Sequence, residues 1–184
     1  MTKSKPIEIQ LSKFKLSLMI IGSLIFVTAG VWLIWHVAVT PASHFRRFYF
    51  GLIVGSVSIL FFGLAAVYLF KKLLDNKPGL IICDDGIIDN SGALSIGFIP
   101  WTDVVEIHEV FMGRQIFIIV EIINPLEYID RQENTLKRRW MKANYKLYRS
   151  VIGITANGLK CNHNELLNLL DSTFRKFKER KLIK

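Results

Sequence analysis

The 184-residue sequence predicts a membrane α + β protein: an N-terminal two-helix transmembrane hairpin, then a small β-barrel or sandwich capped by a C-terminal α-helix. Three observations predict it. Residues 16–40 and 48–70 contain no Asp, Glu, Lys or Arg, and each run exceeds the ~20 residues with which a helix crosses ~30 Å of hydrocarbon. From residue 78 the pattern changes to short apolar runs separated by Asp-Gly, Asn-Ser-Gly and Asn-Gly, the signature of strands and tight turns. After Asn162 the apolar residues return to helical spacing.

Composition agrees. The chain is 51% hydrophobic and 21% charged, with a mean hydropathy of +0.34 and a net charge of +9. That is too apolar for an ordinary soluble domain and too charged to be membrane throughout, so the two properties must be segregated along the chain. The boundaries follow: a basic cytoplasmic N-terminus (1–15), a first span (16–40), an outer loop (41–47), a second span (48–70), a linker (71–77) and a cytosolic domain (78–184).

In both spans apolar residues run all round the helix, which separates them from amphipathic core helices. The first run also follows four lysines, as a secretory signal would, but a signal's apolar region covers only about 7–15 residues and no second span follows it. Lys3, Lys5, Lys13 and Lys15 precede the hairpin and Lys71, Lys72 and Lys77 follow it, against Arg46 and Arg47 in the loop. This bias places both termini of the multi-pass chain in the cytoplasm. Trp32, Trp35, Phe45, Phe48, Tyr49 and Phe50 cluster toward the outer ends, where amphipathic rings prefer the headgroup level. The second span carries a GxxxG at Gly51 and Gly55, which packs either on the small residues Gly22, Ser23, Ala29 and Gly30 of the first span or on a second copy in a homodimer.

In the cytosolic domain, LIIC and IID flank a tight turn at Asp84, Asp85 and Gly86, because Asp-Gly supplies the positive φ of such turns. ALSIGFIPW reads as a third strand ending at Pro100, which has no amide hydrogen for a ladder. VVEIHEV and QIFIIVEII form a hairpin through Gly113 and Arg114, the second run apolar enough to be buried on both faces. VIGIT and GLKC read as a last pair of strands around Asn157 and Gly158. Asn162 and Glu165 have capping-box spacing, and Leu166, Leu170, Thr173 and Phe177, with Leu167 and Phe174, make one apolar face of a terminal helix.

The order LIICDDGIID, IPWTDVVEI, ITANGLKCNHNELLNLL resembles the bacterial pleckstrin-homology-like (PH-like) domains, in which an I-P-W-x-D-V/I segment leads into a central strand and a C-terminal helix closes the barrel. The whole layout is similar to an uncharacterised family of small bacterial inner-membrane proteins with two transmembrane helices and a cytosolic PH-like domain. The resemblance implies a fold more than a function. It also implies phosphoinositide binding by cations in the first strand-turn-strand, where this chain has Asp84 and Asp85, which repel phosphate.

Catalytic chemistry is not indicated, and neither a cofactor nor a metal is expected. Cys83 and Cys161 read as small strand residues in a reducing compartment. Cys161 and His163 lack further ligands at zinc spacing. Glu106 and His108 share a strand face with no nucleophile beside them, which also describes a solvated sheet face. His36 lies close enough to the outer interface to reach water or headgroups.

The most basic stretch is LKRRWMKANYKLYRS, 136–150, with six cations and no acid. On a helix, Leu136, Trp140, Ala143 and Leu147 form an apolar stripe, with NPLEYIDRQENT as the loop before it; the stripe packing on the barrel with its cations merely solvated stands beside membrane-surface contact, and the two are compatible if the stripe packs inward and the cations face lipid. Lys137, Arg138, Arg139, Lys142, Lys146 and Arg149 are then candidates to meet the lipid bilayer through anionic phospholipid headgroups. Nucleic acid is not an expected partner, because no recognised nucleic-acid motif is present and the tether is short. The expectation is a non-catalytic, membrane-anchored interaction or scaffolding domain with a protein partner. The alternative is an immunity or protective protein against a toxin acting in the inner membrane.

Overall fold

A computed structural model describes the backbone of residues 5–40, 45–92, 94–113, 115–148 and 150–182. The chain divides into two compact units, one of residues 12–76 and one combining residues 1–11 with 77–184.

The first unit is a pair of helices, α1 (Lys13–Val39) and α2 (Phe45–Leu73). Ser12 caps α1, its Oγ accepting from the Lys15 amide at 3.3 Å, and at the other end Thr40 N–H and Oγ1 both donate to the His36 carbonyl. The helices run antiparallel, since Phe26 stacks on Phe62, Gly30 meets Gly55 and Val37 meets Gly51. Both are long and apolar enough to cross a membrane. Their apolar side chains face outward on all sides, Trp35 65%, Leu60 66% and Leu64 65% exposed among them, the reverse of a buried core helix. The helices extend beyond the uncharged runs: Lys71 and Lys72 lie in the last turn of α2, where cations complement the helix dipole.

The GxxxG closes the hairpin. A Cβ on Gly55 would come 2.8 Å from the Gly30 carbonyl and 2.6 Å from Ile34, and one on Gly51 would lie 2.5 Å from Val37. Close approach also lets Ser58 Oγ donate to the Phe26 carbonyl at 3.0 Å.

The second unit is α + β, with two antiparallel sheets and a C-terminal helix. The first sheet has the order β1 (Ile7–Ile9), β2 (Leu80–Ile82), β3 (Gly86–Asp89), β4 (Gly97–Pro100), and the second β5 (Val104–Met112), β6 (Gln115–Ile122), β7 (Gly153–Ile154). Three helices complete it: α3 (Pro125–Asp130), α4 (Thr135–Tyr148) and α5 (His163–Leu182). The cross-strand row Ile82, Ile87, Ile99 is buried, as are Ile118, Ile119 and Val120 of β6, which is covered on both faces as its sequence predicts. Gly113, at φ +64°, turns β5 into β6.

Trp101 is the largest buried side chain of this unit. It stacks on Phe174 of α5 with ring centroids 5.6 Å apart, and its Nε1 donates to the Cys83 carbonyl at 2.8 Å. Asp103, two residues on, accepts a 2.6 Å hydrogen bond from the buried Tyr128 hydroxyl. The IPWTD segment therefore joins sheet, α5 and α3. The predicted capping box is present: the Asn162 amide donates to Glu165 Oε2 at 3.0 Å and the Glu165 amide to Asn162 Oδ1 at 2.8 Å.

Four local expectations change. The domain expected over 78–184 also takes in N-terminal residues, since Ile7–Ile9 pair with Ile82–Leu80, while Leu11 bridges Leu159 and Gln10 accepts from the Lys160 amide. GLKC therefore pairs with the N-terminus and not with VIGIT; Ala156–Gly158 form a 3-10 turn that redirects the chain. The third strand is shorter than predicted because Ser95 Oγ donates to the Gly92 carbonyl and accepts from the Gly92 amide, a local pairing that competes with a ladder. Finally, the segment before α4 contains α3, started by Pro125 at its first position.

Candidate lipid-contact helix

Helix α4 starts where Asn134 Oδ1 accepts from the Leu136 and Lys137 amides, at 3.0 and 3.1 Å, an asparagine N-cap. Its buried residue is Met141, 0% exposed. Lys137, Arg138, Asn144 and Tyr145 are half-buried beside it, at the i−4, i−3, i+3 and i+4 positions that share a helix face.

The apolar stripe points the other way. Leu136 is 67% and Trp140 61% exposed, and Ala143 is exposed with them; Leu147 has no described side chain. The expectation that this stripe packs on the barrel is corrected. Among the described residues one buried methionine with half-buried polar neighbours fixes the helix, because long side chains such as Lys137 and Arg138 cover apolar surface with their stems.

The six candidate cations separate accordingly. Lys137 turns inward and its Nζ donates to the Ser95 carbonyl. Burial holds its ammonium below the usual lysine range, with the Asp89 carboxylate pulling the other way. Arg138 is half-buried. Lys142 is exposed and paired with Asp130 at 3.2 Å. Arg139 and Lys146 are exposed and hold no ion pair among the described residues. Arg149 lies outside the described residues. An outer surface remains, built of Leu136, Arg139, Trp140, Lys142, Ala143 and Lys146.

In comparisons with known proteins, no family model, no curated protein and no solved structure matches the chain.

The remaining polar groups have positions in the fold. Glu106 pairs across the ladder with Glu121, and His108 Nε2 stands 3.9 Å from the same Glu121, so Glu106 and His108 do share a face. Glu109 points to the opposite face and binds His163 at the start of α5. Cys83 Sγ donates to the Gly86 carbonyl at 3.1 Å. No group of three or more His, Cys, Asp or Glu side chains suited to a metal ion occurs among the described residues. Asp84, in the turn where a PH-like lipid site would need cations, pairs with Arg180 of α5 at 3.0 Å. A cleft of about 400 Å³, lined in part by Asp89, Ser91, Asn144, Ser150 and Thr155, opens beside β7; no sequence motif pointed to it.

Sequence reasoning missed the outward direction of Trp140. A signal was available: Met141 is flanked at helical spacing by Lys137, Asn144 and Tyr145, a second amphipathic face that a count of apolar residues passes over.

Proposed function

We propose that this chain is a non-catalytic, membrane-anchored interaction module of the bacterial cytoplasmic membrane, a PH-like domain carried by a two-helix anchor and held to anionic lipid by α4. The observation that carries the reading is the outer surface of α4, whose cations Arg139 and Lys146, without an ion pair among the described residues, flank exposed Leu136 and Trp140 in a chain that also holds two membrane-length apolar helices. Cytoplasmic leaflets are anionic and attract such cations by ~1 kcal/mol each near the surface.

Connectivity supports the topology. Residues before α1 and after α2 belong to one β-sheet unit, so a spanning hairpin has both ends on one side of the bilayer. Seven flanking lysines favour the cytoplasm as that side. Two antiparallel sheets and a C-terminal helix support the PH-like reading. A surface for a protein partner is available on the outer face of the first sheet, where the cross-strand neighbours Ile88 and Phe98 are 37% and 50% exposed. The contacts of Gly51 with Val37 and of Gly55 with Gly30 and Ile34 support packing of the GxxxG within the hairpin.

Reconstitution of the full chain with a photoreactive anionic phospholipid tests the reading. Labelled peptides should include residues 135–148. Labelling confined to 13–39 and 45–73 would remove lipid contact by the domain.

A further inference from the structure

We propose that α4 inserts its outward face into the bilayer interface, with Leu136 and Trp140 below the headgroups and Arg139 and Lys146 among them. This rests on the lipid-contact reading above and specifies its depth: insertion of an apolar face, and not attraction of cations held above the surface.

The angular arrangement carries the inference. At about 100° per residue, Leu136, Trp140 and Ala143 fall within an arc of about 60°, and Arg139 and Lys146 lie about 60° and 80° to one side of Leu136. Lys142 lies farther round on the same side, where Asp130 neutralises it. The opposite flank is turned into the domain, through Lys137 and Asn144. A helix with Trp and Leu on one exposed face and cations along its border has the form of an interfacial helix lying in the membrane plane. Tryptophan in particular prefers the headgroup level, where its ring is apolar and its N–H stays wet.

Charge selects the occupant. Helix α4 has no Asp or Glu from Thr135 to Tyr148, so nothing within it offsets the cations beside the apolar face. A cation-flanked apolar face suits a surface that is anionic outside and apolar beneath, which is what an anionic leaflet offers. Purely electrostatic contact would leave Leu136 and Trp140 in water, more than three-fifths exposed, with no gain from their burial.

Spin-label depth measurements on the full chain test this. Cys83→Ser and Cys161→Ser remove the native thiols, and single labels are placed through Leu136→Cys, Arg139→Cys, Trp140→Cys and Lys146→Cys, all at exposed positions. The protein is held in nanodiscs of phosphatidylcholine with or without phosphatidylglycerol. With phosphatidylglycerol, labels at 136 and 140 should collide with oxygen more than with a water-soluble nickel chelate, and labels at 139 and 146 should reside at headgroup depth. Without it, the labels at 136 and 140 should return to water. Labels at 139 and 146 on the bilayer surface with 136 and 140 in water would overturn insertion and leave lipid contact standing. All four in water would overturn both. Labels at 136 and 140 shielded from both reagents would overturn insertion in favour of a protein surface, and equal depth without phosphatidylglycerol would overturn the anionic assignment.

Discussion

Substituting Arg139→Gln and Lys146→Gln together should weaken attachment to anionic vesicles about 30-fold. The magnitude follows from the sorting of the six candidate cations. Lys137 is half-buried and donates to the Ser95 carbonyl and Lys142 is offset by Asp130 at 3.2 Å, which leaves Arg139 and Lys146 as the exposed cations of α4 without an ion pair among the described residues. Two cations at ~1 kcal/mol each give about 2 kcal/mol, and 1.4 kcal/mol corresponds to tenfold. The assay is co-sedimentation of the β-sheet unit, with residues 1–11 joined to 77–184 by a flexible linker, on vesicles rich in phosphatidylglycerol at low salt. Circular dichroism confirms that each variant keeps its fold. Lys142→Gln should cost about fivefold, since removing the lysine leaves the Asp130 carboxylate unpaired and repelled by the anionic surface. Lys137→Gln should leave vesicle binding unchanged. Equal losses for Lys137→Gln and the double variant, or no loss for the double variant, would refute the assignment of the outer face.

Removing residues 1–11 from the same linked unit should lower its stability by about 3–6 kcal/mol, from the burial of Ile9 and Leu11 at ~1.5–3 kcal/mol each; an unchanged urea midpoint would contradict the role of β1. Gly55→Leu places a side chain against the Gly30 carbonyl and Ile34, so the full chain in detergent should melt at lower temperature, with a longer distance between labels at Phe26 and Phe62. Burial, and then the hydrogen bond to Asp103, push the Tyr128 hydroxyl up to about 12 from its ordinary 10. The folded state holds this proton more tightly than the unfolded one. Stability from this group is therefore complete below pH 10 and falls away as pH rises from 10 to 12, by up to about 3 kcal/mol. Tyr128→Phe should flatten that alkaline decline in urea midpoints.

The sequence was most informative where local chemistry decides the structure. Uncharged runs gave both long helices, and the Asn162 and Glu165 capping box marked the start of α5 to the residue. The apolar run Ile116–Val120 announced a strand whose centre, Ile118, Ile119 and Val120, is covered on both sides. Non-local partners were out of reach: nothing near Ile7 or Leu159 announces that Leu11 will bridge Leu159. Gly86 shows a right residue with a different reason. It was expected to supply positive φ, but among the described residues only Gly97 and Gly113 do so; Gly86 is needed because a Cβ there would lie 2.2 Å from the Ile99 carbonyl. For the candidate site, periodicity correctly found a helix with an apolar stripe and a cationic flank. Which face the domain covers depends on neighbours from other elements, such as Ser95 against Lys137, and these are invisible in the helix's own residues.

Protease accessibility in oriented membrane vesicles tests the central claim most directly, that a lipid-facing domain stands on the cytoplasmic side of a two-helix anchor. In inside-out vesicles a protease should digest residues 77–184 and leave a protected fragment containing α1 and α2; in right-side-out vesicles the domain should survive intact. Digestion of the domain in right-side-out vesicles, or release of the undigested chain by alkaline carbonate, would contradict it.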